Sequence, residues 1–199
     1  MKKTKNIKGL VLAEALLAIA MLSISVVVTA SIIQSALKAT QLSKNYLIAQ
    51  NLVTEGIEAV KGIRDTNWLQ KPSDPGCWLR IETVDSTPCI PAKYAKDEEA
   101  ISYIANKEDN GLWRLKDASK NLDLETQTEN EVFRLNYGLV GDSSIKTFSH
   151  HSGDASSYYR SVKFTYISPV DATFDVKVQW KEGQKVRSVV RSVTIFNYF

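Results

Sequence analysis

The sequence predicts an α+β fold: one long N-terminal helix whose second half packs on a C-terminal antiparallel β-sheet head. Three observations predict it. The run from Leu10 to Ile33 holds 24 residues with Glu14 as its one ionisable member. Apolar residues then recur at steps of three and four as far as Val60, the period of a helix buried along one face. Beyond about residue 130 the period changes to two, as in strands with one buried face.

Residues 1–9 form a short basic leader carrying Lys2, Lys3, Lys5 and Lys8 ahead of Gly9. Residues 10–63 read as one continuous helix, because no proline occurs before Pro72 and the first glycine after Gly9 is Gly56. Residues 10–33 are apolar all round and make a helix of about 36 Å, enough to cross a bilayer. Lysines before the run and mixed charge after it place the N-terminus in the cytoplasm and the rest of the chain outside. Residues 34–63 turn amphipathic, with Leu42, Tyr46, Ala49, Val53, Ile57 and Val60 on one stripe. Gln41, Lys44, Asn51, Glu55 and Glu58 fall largely elsewhere on the wheel, so the stripe is expected to pack on the chain's own head. Gly62 followed by Arg64-Asp65-Thr66-Asn67 predicts the stop.

Residues 64–199 form the head. The stretch from 64 to about 130 reads as loop-rich, with a short helix over Asp97–Lys107 capped by Asp97. Strands are predicted where Phe133, Leu135 and Tyr137 alternate with polar neighbours, and again at Val162, Phe164 and Tyr166. The clearest strand interleaves Phe174, Val176, Val178 and Trp180 with Asp175, Lys177 and Gln179. Lys181-Glu182-Gly183-Gln184 is the following turn, and Val186 to Phe196 the second arm.

Net charge is +3, and the four leader lysines leave 21 Lys+Arg against 22 Asp+Glu beyond Gly9. A nearly neutral body without a basic patch argues against nucleic acid as a partner. Cys77 and Cys89 lie among Pro72, Pro75, Gly76, Pro88 and Pro91. In an oxidising compartment they are expected to close a small loop by a disulfide worth about 2–3 kcal/mol. Two cysteines without nearby histidines do not complete a zinc site, and no metal or cofactor is expected.

His150, His151 and Asp154 raise the idea of a metal site or a catalytic base. Adjacent residues of a strand point to opposite faces, and Ser149, Ser152, Gly153, Ser156 and Ser157 surround them, so a solvated loop is the expectation. Trp68, Trp78, Trp113 and Trp180 are expected to pack in the head. The chain has no nucleophile elbow, phosphate-binding glycine loop or Walker-type motif. No enzyme activity is expected.

Gly9 followed by an apolar run, with Glu14 at the fifth position after it, resembles the type III signal of type IV pilins and type II secretion pseudopilins. The resemblance implies that a prepilin peptidase cuts between Gly9 and Leu10 and methylates the new N-terminus. Leu10 stands where that family usually has phenylalanine, and Ser31 where many major pilins carry a helix-kinking proline. The stretch from Ala49 to Glu58, with Ile63 to Trp68 after it, resembles the helix end of some minor pilins. Val176-Lys177-Val178-Gln179-Trp180, the turn and the last arm are similar to their C-terminal hairpin. Residues 70 to 130 carry no such likeness.

The implied function is that of a minor pilin or pseudopilin, a structural subunit of a pilus-like or secretion filament. Its implied partners are the prepilin peptidase, other subunits through the N-terminal helix, an inner-membrane assembly platform and the membrane. Physical chemistry gives Glu14 a role of its own, since a carboxylate inside an apolar helix needs a cation at its own depth. The α-amino group of a neighbouring subunit, freed by cleavage after Gly9, supplies one. The alternative is a secreted or signal-anchored binding domain. Val28-Thr29-Ala30 satisfies the small-residue rule of an ordinary signal peptidase, which would leave a chain starting at Ser31 and Glu14 without a role.

Overall fold

The computed structural model describes residues 8–70, 78–79, 102–108, 111–126, 130–139, 146–150 and 153–197. The chain divides into two compact units, Met1–Tyr46 and Leu47–Phe199. One helix, α1 (Lys8–Gln70), supplies the described part of the first unit and opens the second. The architecture is α+β, with α1 followed by an antiparallel sheet that packs on its C-terminal half.

In the second unit α1 buries Ala49, Leu52, Val53, Ile57, Ala59, Val60 and Ile63, an i, i+3, i+4, i+7 face. The predicted stripe is right from Ala49 onward. Leu42 and Tyr46, which the same period places on it, are 41 % and 50 % exposed.

The helix also runs past its predicted stop at residue 63, to Gln70. Ile63 and Asn67 continue the buried face, Asn67 Nδ2 donates to the Trp78 carbonyl at 3.1 Å, and Arg64 Nη1 donates to the Phe196 carbonyl at 3.2 Å. These tertiary contacts outweigh a local stop signal of modest strength.

Seven strands form one antiparallel sheet among the described residues. They are β1 (Ser102–Lys107), β2 (Trp113–Asp117), β3 (Arg134–Leu139), β4 (Lys146–Ser149), β5 (Asp154–Ile167), β6 (Asp171–Glu182) and β7 (Lys185–Phe196). β5 is the hub. Its two halves pair with β1 and β3, which continue to β2 and β4, and it also pairs with β6, which carries β7. Gly183 opens the two-residue β6–β7 loop at φ +60°, the left-handed position that tight hairpin turns give to glycine.

Each face of the sheet carries a core. Tyr103, Leu135, Val162, Phe164, Phe174, Val176 and Val178 are at most 1 % exposed and share one core with α1. Tyr103–Phe164 and Phe164–Phe174 ring contacts at 5.8 and 5.6 Å knit this layer. Ile104, Leu122, Leu124 and Phe133 make a second, smaller core on the other face, with Tyr159 and Val186 against it. The helix expected over Asp97–Lys107 is corrected here: its described part, Ser102–Lys107, is β1. With Tyr103 in one core and Ile104 in the other, β1 shows no apolar–polar alternation, and a run buried on both faces cannot be told from a helix by period alone.

Candidate functional site

Gly9 and Leu10 fall in the first turn of α1, and residues 1–7 of the expected leader lie outside the described residues. Glu14 is exposed on the same helix, with no ion pair or hydrogen bond among the described residues. From Val11 to Leu37 the large apolar side chains are 51 to 68 % exposed. They are fourteen side chains left exposed among the described residues, far beyond the scattered apolar residues that a soluble surface carries.

The hydroxyls on this segment turn inward. Ser23, Ser25, Thr29 and Ser35 each donate to the carbonyl four residues back, at 2.8 to 3.0 Å. A hydroxyl satisfied within its own helix can sit in hydrocarbon at little cost. Glu14 cannot be satisfied that way. The helix is long and apolar enough to cross a membrane, and it is compatible with a membrane anchor.

In the second unit, the seam between α1 and the sheet holds a buried guanidinium. Arg160 sits on β5 between Tyr158 and Val162, on inward-facing positions, with its side chain 1 % exposed. Its Nη1 donates to the Leu52 carbonyl at 3.4 Å and lies 3.6 Å from Glu55 Oε2. Nη2 donates to the Ala105 carbonyl of β1 at 3.2 Å, and the guanidinium carbon stands 5.8 Å from the Trp113 ring of β2. Burial pulls the Arg160 pKa down, while the neighbouring Glu55 carboxylate opposes that shift. One side chain thus ties α1 to two strands.

Gly56 makes the approach possible. A Cβ there would lie 2.7 Å from Val176 Cγ1 and 3.2 Å from Arg160 Cδ, so any side chain would lift the helix off β5 and β6.

His150 corrects the expected solvated loop. It follows β4 in an irregular stretch, but it is half-buried, its Nδ1 lies 3.1 Å from the Arg134 carbonyl, and its Nε2 is buried without a partner among the described residues. With a carbonyl opposite it, Nδ1 carries the hydrogen. Burial first, then the nearby Arg160 charge, push the pKa down to about 3, against the pull of the Arg134 carbonyl. This is a neutral structural histidine. His151 lies outside the described residues, and Asp154 is exposed at the start of β5.

Cys77 and Cys89, the expected disulfide, lie outside the described residues. Trp78 and Trp180 are buried in the main core, and Trp113 packs against it. Among the described residues no cluster of His, Cys, Asp or Glu is placed to hold a metal ion. Arg160 and Gly56 were missed by the sequence reading. The available signal was an arginine in the inward register of β5, where period two demands an apolar residue.

No family model, curated protein or solved structure matches this chain. Any functional reading therefore rests on the residues themselves.

Proposed function

We propose that this chain is a minor pilin or pseudopilin, a structural subunit of a type IV pilus-like or type II secretion filament. In this reading a prepilin peptidase cuts between Gly9 and Leu10 and methylates Leu10. The first part of α1 then holds the subunit in the cytoplasmic membrane, N-terminus inside and head outside, until an assembly platform passes it into the filament. Glu14 pairs with the α-amino group of a neighbouring subunit and neutralises both charges as the helix leaves lipid.

The observation that carries this reading is Glu14, without a partner among the described residues, within an exposed apolar segment of α1, five residues beyond Gly9. An ordinary anchor has no use for that carboxylate, whereas a bundle of staggered helices with charged N-termini does. The continuity of α1 from Lys8 to Gln70 adds support, because cleavage after Ala30 would cut through the middle of a helix. Mass spectrometry of the N-terminal peptide of the membrane-extracted protein tests it. A methylated Leu10 start is the expected result, and a Ser31 start would replace the filament reading with a secreted domain.

A further inference from the structure

We propose that the free edge of β7 is a docking site for an acidic, extended segment of another polypeptide, which adds to the sheet as a further strand. The proposal stands apart from the fate of the N-terminal helix and concerns the head alone.

β7 is a long edge. All twelve of its residues pair with β6, from Asp171↔Phe196 to Glu182↔Lys185, without a register shift. Among the described residues no strand pairs with its other side, although the Phe196 carbonyl at its last residue already accepts from Arg64 Nη1. Alternate backbone N–H and C=O groups of an edge strand point outward and can accept another chain. The other two edges are far shorter, since β2 has five residues and β4 four.

Natural edges are closed by prolines, bulges, short length, charged side chains that repel a like copy, or a covering element. β7 has no proline and no bulge. What it carries is one sign of charge. Lys185, Arg187 and Arg191 lie on one face, interleaved with Val189, Val193 and Ile195 that pack on the main core, and the strand contains no Asp or Glu. Arg187 leans to Glu182 at 3.5 Å, but Lys185 and Arg191 are exposed with no ion pair among the described residues. The other face presents Val186, Ser188, Val190, Ser192 and Thr194, all uncharged.

This pattern selects its occupant. A second β7 laid antiparallel would bring cations together on one face, which repels. A strand with carboxylates on that face, and small or hydroxyl residues on the other, would meet complementary charge at Lys185, Arg187 and Arg191. Main-chain hydrogen bonds would supply the affinity and the charge pattern the specificity.

The probe is a synthetic peptide alternating glutamate with threonine, long enough to span β7, added to the full chain in detergent micelles. A lysine–threonine peptide is the control. Hydrogen exchange should show those β7 amides that do not bond β6 slowed by about tenfold or more with the glutamate peptide, and unaffected by the lysine peptide. The effect should weaken as salt rises. Lys185→Glu combined with Arg191→Glu should reverse the preference; retained protection of the β6–β7 pairing shows that the variant is folded. If that variant does not fold, the salt series and the two peptides on the unaltered protein still decide. No slowing at β7, equal slowing by both peptides, an unreversed preference in the folded variant, or slowing that grows with protein concentration alone would each overturn the proposal. The last outcome would give the edge to a second copy of this chain.

Discussion

Arg160 and Glu55 meet across the helix–sheet seam at 3.6 Å, the arginine side chain 1 % exposed and the carboxylate 31 %. The two ends of this pair live in different media. Glu55 keeps contact with water, while Arg160 depends on the pair, on two carbonyls and on the face of Trp113. A buried charge held this way contributes little net stability, but losing its support is costly. Its value lies in registration, since only one placement of α1 brings both Leu52 O and Glu55 to the guanidinium.

Arg160→Ala should therefore destabilise the head by about 3–5 kcal/mol, through the cavity it leaves and the lost ties. Arg160→Met, which fills the volume and leaves Glu55 to water, should cost less than about 1.5 kcal/mol. Urea midpoints of the two variants compare them. An equal loss in both would mean that charge, not volume, is what the seam requires.

At Gly56 two effects oppose each other. Alanine is better than glycine in a helix by about 1 kcal/mol, but its Cβ would meet Val176 Cγ1 at 2.7 Å. Valine is stiff at χ1 and cannot swing away, so overpacking of about 1–3 kcal/mol should win. Gly56→Ala is expected to lower the thermal midpoint of the head. A rise in that midpoint would show that the seam has slack.

Acid should loosen the head through His150. Its folded pKa is about 3 against 6.5 for the free side chain, so the unfolded chain binds the proton more readily. Stability is full above pH 6.5 and is lost as pH falls toward 3, at up to about 1.4 kcal/mol per pH unit. His150→Gln should flatten the pH dependence of unfolding in that window. An unchanged slope would assign the acid sensitivity to the carboxylates.

Glu14→Ala should still insert in the membrane, since removing a charge from an apolar helix lowers its transfer cost. It should be cut after Gly9, fold its head and yet incorporate poorly into filaments. Glu14→Gln keeps the shape but not the charge and should behave nearer to alanine. The readout is the amount recovered with sheared filaments relative to the membrane pool, and wild-type recovery of both variants would make Glu14 incidental. Gly9→Val tests the cleavage site separately, with uncut protein retained in the membrane as the expected result.

Local pattern alone determined the apolar helix, its amphipathic continuation and the period-two strands of the C-terminal hairpin. Each repeats one environment over many residues, so composition and period suffice to reveal it. Glu14 was legible for the same reason: one charge in an apolar run contradicts its surroundings.

The tertiary structure decided what depends on residues distant in sequence. α1 reaches Gln70 because Asn67 finds Trp78 and Arg64 finds Phe196. β1 is a strand although its buried residues Ser102 to Ala105 show no alternation, because both faces of the sheet there are covered. Tyr166 turns out to 47 % exposure beyond a register shift after Phe164, although the strict alternation of Val162, Phe164 and Tyr166 would bury all three. His150 and Arg160 owe their environments to contacts that only the closed sheet creates. A sequence records each residue's preference for water or its absence; which groups meet once water is excluded depends on how the helix and strands pack.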